Sequence, residues 1–268
     1  MSDLATAAIL GLVEGVTEFL PVSSTGHLIL ATRLLGYDAA RWALFNVVIQ
    51  LGAIAAVVVV YRRTFATVLA GLARREPGAW RFARNIALAF LPAAVVGLAL
   101  HKRIEALLAN AGVVAVALIV GGVAILLVER LARPGTAKGV ADVPLASAGG
   151  IGLVQCLAMV PGVSRSGATI LGGVALGVER RTAAEFSFFL AIPTMLGASA
   201  LELWKSRHAL AGGGVGWGAI GVGTAVAFAV ALLVVRGFVG FVGRHGFGPF
   251  AWYRIVAGAI ALAALRLG

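Results

Sequence analysis

Long unbroken apolar runs constrain this chain more than any other feature. Trp42 to Tyr61 and Ala111 to Val128 are two of them. A run of about 20 apolar residues crosses a bilayer core as an α-helix. Membrane-crossing strands need only about ten residues, but those residues must alternate in polarity, and these runs do not. Composition agrees, with 60% of residues hydrophobic, 12% charged and a mean hydropathy of +1.00. A soluble domain carries roughly 25% charged residues, so this chain cannot cover itself with a water-soluble surface. The 36 glycines fit a bundle in which small residues let membrane helices approach closely. The single cysteine, Cys156, excludes an intrachain disulfide and reads as a small packing residue. The start, Met1-Ser2-Asp3, lacks the basic stretch of a cleavable signal.

The expected fold is all-α, a polytopic membrane protein forming one membrane domain over residues 1–268. Six full spans are read at about 42–61, 82–100, 110–129, 183–204, 216–236 and 250–267. Two more apolar segments, about 4–36 and 145–179, are interrupted by Pro, Gly, Ser and Thr. Each half-segment is too short to cross comfortably, so each segment reads as a re-entrant helix–loop–helix. Such backbone is tolerated inside a membrane only where protein or water covers it. The two segments align with each other without gaps at an offset of 141 residues. Gly11-Leu12-Val13 falls on Gly152-Leu153-Val154, Val22-Ser23 on Val163-Ser164, Gly26 on Gly167 and Ile29-Leu30 on Ile170-Leu171. The chain therefore reads as a duplication, with halves at about 1–130 and 145–268 and a linker at about 130–144. Each half holds one re-entrant segment and three transmembrane helices. Three crossings are an odd number, so the repeat has inverted topology and its broken segments meet near the midplane, a common place for a membrane site.

The net charge is +11. The basic residues lie between apolar runs, which points to anionic membrane lipids and topology rather than nucleic acid. Counting loop Lys and Arg gives 13 on the side of Arg62, Arg74, Arg130, Lys138, Arg180 and Arg244, against 7 on the other. The first side is expected to be cytoplasmic, with both termini outside.

The polar residues of the interrupted segments carry the chemistry. Glu14 and Glu18 are four apart and share a helix face. Two adjacent carboxylates in an apolar segment repel unless a cation or a proton intervenes. A hard divalent ion such as Mg²⁺, held by these two groups and by substrate phosphate oxygens, meets that need. The plain alternative is a pair at the membrane interface. Ser23, Ser24 and Thr25 precede Gly26 and His27 where the second short helix should begin. Hydroxyls and free N–H groups at a helix N-terminus bind anions. His27 can serve as acid, base or nucleophile, or simply as a hydrogen-bonded structural residue. In the second segment, Ser164, Arg165, Ser166 and Thr169 follow Pro161-Gly162-Val163. The planar fork of Arg165 suits phosphate, although the same group can pair with Glu14 or Glu18 as a strut. Brought together, the two segments make a diphosphate site with a metal, a cationic clamp and a proton carrier.

Two stretches closely resemble the signature motifs of the undecaprenyl-diphosphatase family, also called the bacitracin-resistance protein family. They are Glu14-Gly15-Val16-Thr17-Glu18-Phe19-Leu20-Pro21-Val22-Ser23-Ser24-Thr25-Gly26-His27 and Pro161-Gly162-Val163-Ser164-Arg165-Ser166-Gly167-Ala168-Thr169. The stretch Val48-Ile49-Gln50-Leu51-Gly52 is similar too. The resemblance covers nearly the whole chain. It implies hydrolysis of a polyprenyl diphosphate lipid, undecaprenyl diphosphate, to undecaprenyl phosphate and inorganic phosphate. That reaction recycles the carrier for peptidoglycan synthesis and confers bacitracin resistance. The resemblance also implies a divalent cation, Mg²⁺ or Ca²⁺, and a bacterial cytoplasmic membrane location with the site opening to the periplasm. By motif position, Glu14 and Glu18 hold metal and diphosphate. Arg165 clamps phosphate with help from Ser164, Ser166 and Thr169. His27 carries the proton, and the nucleophile is Ser24, His27 or water. Homodimerisation is left open.

Two other readings compete. Inverted repeats with broken helices also build transporters, including flippases of phosphorylated lipids, and fold alone does not fix function. A purely structural membrane subunit would leave Arg165 unexplained.

Overall fold

The computed structural model describes residues 2–37, 39–108, 110–205 and 215–267. Apart from one isolated bridge between Ala137 and Val178, its regular structure among these residues is helical. Eleven α-helices appear in chain order: α1 (Asp3–Thr17), α2 (Ser24–Leu35), α3 (Ala39–Val60), α4 (Arg62–Ala73), α5 (Pro77–Leu108), α6 (Ala111–Leu131), α7 (Leu145–Gln155), α8 (Arg165–Ala175), α9 (Arg180–Lys205), α10 (Trp217–His245) and α11 (Gly248–Leu267). Five of these, α5, α6 and α9 to α11, are long and apolar enough to cross a membrane. The pair α3–α4, bent by 73°, makes a sixth candidate. The chain is a multi-pass membrane protein.

The six expected spans each fall on one of these helices. Helix α4 lies outside the expected spans. Arg62 and Arg63 end the apolar run of α3, and the chain turns at Tyr61 (φ −100°, ψ 20°) into a second, amphipathic helix. Phe65 ties that helix inward, with its ring 5.4 Å from Phe189.

Both interrupted segments break where expected and share a local geometry. The first passes from α1 through residues 18–23 to α2. The second passes from α7 through a 3-10 turn at Cys156–Met159 to α8. Ser23 (φ 73°) and Ser164 (φ 77°) cap the following helices from a backbone region that favours glycine. Their hydroxyl oxygens accept from Gly26 N at 3.3 Å and Gly167 N at 3.0 Å.

The helices interlock across the chain. Helix α1 packs along α10, α7 packs on α5, and α6 packs on α11. Gly11 permits the first contact, because a Cβ there would sit 2.4 Å from Gly223 O. The main core joins Phe19, Phe186, Phe188, Phe238 and Phe247, from elements far apart in sequence. Leu91, Val95, Leu98, Val120, Leu233 and Ile260 stay exposed, as a lipid-facing surface requires. Trp80, Trp204, Trp217 and Trp252 are exposed near helix ends, the position of interface anchors.

Candidate active site

The two breaks come together. Ser166, in the first turn of α8 just after the second break, donates from Oγ to Leu20 O in the first at 2.7 Å. Between them lies a cavity of about 240 Å³. Its polar lining is Glu18, Ser23, Ser24, Thr25, Gln50, Ser164 and Arg165, and Ile104, Ala158, Met159 and Met195 contribute apolar wall.

Glu18, at the end of α1, is the hub. Ser24 donates its hydroxyl to Glu18 Oε2 in a short contact, and Arg165 Nη2 lies 3.3 Å from Glu18 Oε1. Arg165 Nη1 also donates to Ser187 O at 2.9 Å, while its Nε is buried without a partner. The guanidinium is therefore both strut and wall. It pairs with Glu18, faces the cavity and keeps a donor in reserve. Ser24 and Arg165 are the first residues of α2 and α8, so two helix N-termini with free N–H groups abut one cavity. A serine hydroxyl bonded to a carboxylate, beside a guanidinium and two helix starts, is suited to bind phosphate and to activate an oxygen nucleophile.

Glu14 stands behind this wall. It is fully buried beside the Glu18 carboxylate, and neither of its oxygens has a hydrogen-bond partner. A buried carboxylate left unpaired is costly. Glu14 and Glu18 would hold a divalent cation, whose charge would offset theirs. Among the described residues no cluster of three or more His, Cys, Asp or Glu side chains exists. Two carboxylates completed by substrate oxygens and water is a donor set that suits Mg²⁺.

The other expected site residues fall into two groups. Thr25 is exposed at the cavity, whereas Ser23 and Ser164 line it but spend a lone pair on their helix caps. Ser166 and Thr169 do not line the cavity. Thr169 Oγ1 contacts Arg165 O at 2.9 Å and Ser187 Oγ at 2.7 Å, so it braces the turn that presents Arg165. His27 is also outside the lining. Its Nδ1 meets Ser23 O at 2.7 Å and its Nε2 meets Tyr253 Oη at 2.6 Å, so both nitrogens are engaged away from the carboxylates. In this arrangement one nitrogen of His27 braces the residue that caps α2 and the other meets α11. Gln50, from α3, also lines the cavity, whereas Asn46 Oδ1 is buried without a partner and Glu185, reached by Tyr61 Oη at 3.4 Å, lies outside it.

Three residues of the site escaped the sequence reading. Arg254, inside α11, is 1% exposed and donates to Pro21 O, Gly162 O and Val163 O of the breaks and to Ala117 O and Leu118 O of α6. A charge inside an apolar span was the signal that could have found it. Ser187 and Tyr253 carried none, because a serine in a helix and a tyrosine near a span end are common.

Comparison with known proteins bears on the same residues. Curated relatives are 64% identical in Novosphingobium aromaticivorans, over the full length of both chains, and 60% identical in Rhizorhabdus wittichii, over 97% of each. One from Sphingopyxis alaskensis is 56% identical over 98% of each. All three are named undecaprenyl-diphosphatase. Residues 7–260, which hold both breaks and Arg254, match the family described as bacitracin resistance protein BacA, and the chain belongs to that family.

Proposed function

We propose that this protein hydrolyses undecaprenyl diphosphate to undecaprenyl phosphate and inorganic phosphate, regenerating a lipid carrier for cell-wall synthesis. The observation that carries the proposal is the contact of Ser24, Glu18 and Arg165 around one cavity at two helix N-termini. The names of the relatives point the same way. A transporter needs an anion site but no hydroxyl bonded to a carboxylate, so this contact favours the enzyme.

In this reading the terminal phosphate lies against Arg165 and the first N–H groups of α2 and α8. Glu18 accepts a proton from the attacking oxygen, either Ser24 Oγ or a water in its place. That oxygen bonds to the terminal phosphorus as the bridging P–O bond breaks, and undecaprenyl phosphate leaves with the bond's electrons. If Ser24 attacks, water then releases phosphate from the serine. Glu14 and Glu18 would hold the divalent cation, which when bound offsets charge on the diphosphate oxygens. The donor set suits Mg²⁺ better than Ca²⁺, which seeks 6–8 oxygens.

The reading includes an inner-membrane location, a site open to the periplasm and halves related as an inverted repeat. Loop charge supports the orientation. The matching caps at Ser23 and Ser164 support the repeat.

Purified protein in detergent should release phosphate from undecaprenyl diphosphate, and chelation of divalent ions should stop the release. Glu18→Gln and Arg165→Ala should each slow it about 100-fold or more, the scale of losing one electrostatic partner of a transition state. Ser24→Ala separates the two nucleophiles, since activity persists only if water attacks. Phosphate release that survives both Glu18→Gln and Arg165→Ala would place the chemistry elsewhere.

A further inference from the structure

A second cavity, about 420 Å³, lies between α5 and α9. It shares Ile104, Ala158, Met159 and Arg165 with the polar cavity, so the two adjoin. Its size falls within the roughly 300–1,000 Å³ of sites that hold organic ligands. Phe90, Leu98 and Leu201 give it largely apolar walls, with Arg165 and Glu202 as the charged residues of the lining.

Its floor sets it apart from the polar cavity. At the offset that aligns the two interrupted segments, Glu14 and Glu18 correspond to Gln155 and Met159. Both of these line the second cavity. Gln155 is neutral, 2% exposed and satisfied, since its amide donates to Ala89 O and accepts from Thr194 Oγ1, each at 3.4 Å. Where the first segment presents two carboxylates, the second presents an amide and a thioether. At these two positions the surroundings of a charged head are thus matched by uncharged ones, which hydrocarbon can cover without stranding an ionised group. Leu91, Val95 and Leu98 on α5 and Leu196 on α9 are exposed beside the gap, facing the acyl region where an isoprenoid chain already resides.

We propose that this cavity holds the first isoprene units of the substrate lipid, its tail leaving sideways between α5 and α9 while its diphosphate sits by Arg165. Gly97 and Gly197 set how much tail the cavity accepts. A Cβ at Gly97 would meet only Met159 Cε, at 3.6 Å, and one at Gly197 only Phe90, at 3.9 Å. Both are ordinary contacts, so larger side chains would grow into the cavity without displacing helix backbone. The inference rests on the lipid diphosphate reading above.

Gly97→Leu and Gly197→Leu test it with two substrates, undecaprenyl diphosphate and methyl diphosphate, which has a head and no tail. The variants should raise KM for the long lipid about tenfold or more, the discrimination of a filled apolar pocket, and leave methyl diphosphate turnover unchanged. Equal loss on both substrates, or no loss on either, overturns the proposal. An undecaprenyl diphosphate carrying a diazirine in its first isoprene unit provides a test on the unaltered chain. Photolysis should label Gly97, Ala198 or Leu201, and unlabelled lipid diphosphate should compete, whereas a phospholipid should not. Labels confined to α1 and α2, or displaced by phospholipid, refute it. Competed labels at α5 and α9 without any phosphate release would retain the tail site and discard the hydrolase.

Discussion

A guanidinium buried without a carboxylate is costly unless every N–H finds an acceptor. At Arg254 all five do, and all five acceptors are backbone carbonyls. Pro21 belongs to the first break, Gly162 and Val163 to the second, and Ala117 and Leu118 to α6, so one side chain fastens three elements, and the carbonyls of the two breaks, unlike those inside α6, have no helical donor of their own. The approach to α6 depends on Gly121, where a Cβ would lie 1.9 Å from Arg254 Nη2. Gly121→Ala and Arg254→Met are therefore expected to share a phenotype. Each leaves several buried acceptors unpaired, at about 1–3 kcal/mol apiece. Thermal midpoints in detergent should drop for both, together with phosphate release. A Gly121→Ala protein that melts and turns over like the parent would show that Arg254 does not need this approach. At this scale the sequence was readable where polarity conflicted with its surroundings. Glu14, Glu18, Ser24 and Arg165 stand out because ionisable and hydroxyl groups in apolar segments need a reason. Arg254 carried the same conflict but sits six residues from the start of α11, where a cation passes for an interface residue. The engagement of His27 with Tyr253 could not be read, because it depends on which helix lies opposite.

Between residues and molecule, the breaks are the functional elements, and their backbone is specific. Gly162 (φ +94°) crosses α6 so closely that a Cβ would be 2.6 Å from Val114 O. Gly177 has φ +81°, but nothing lies within 4 Å of where its Cβ would be. The pair separates backbone strain from packing. Gly177→Ala should cost about 1–3 kcal/mol, the price of an unfavourable φ, with phosphate release per folded molecule intact. Gly162→Ala adds a collision with α6 and should move the second break, and Arg165 with it, lowering both melting temperature and kcat. Equal kcat in the two variants would mean that the break tolerates displacement. The spans themselves were legible because hydropathy and length suffice for them. Helix α4 was not, since it is short and opens with Arg62 and Arg63, cations where the helix dipole disfavours them. Its formation depends on Phe65 docking against Phe189, a tertiary contact.

Over the whole molecule, neither of the two proposed halves holds the site or its own core alone. The carboxylates come from α1 and the guanidinium from α8, while α1 packs on α10 of the other half and α7 on α5 of the first. The proposed inverted repeat would account for this exchange, because turning one half over sets each broken segment against a full span of its counterpart. It also makes a requirement that a parallel duplication does not, namely that α1 and α7 start on opposite faces of the membrane. Ser2 and Ala146 are exposed at those two starts. In a Cys156→Ala background, Ser2→Cys in intact cells should react with an impermeant maleimide. Ala146→Cys should react only after the inner membrane is opened, as should Lys138→Cys on the basic side. Substituting Ser2 removes a cap bond of 3.3 Å to Ala5 N, a loss confined to the first turn. If Ser2→Cys and Ala146→Cys label from the same face, the inversion is wrong. The meeting of the two breaks would then need another origin, such as a parallel duplication whose second segment enters from the same side as the first.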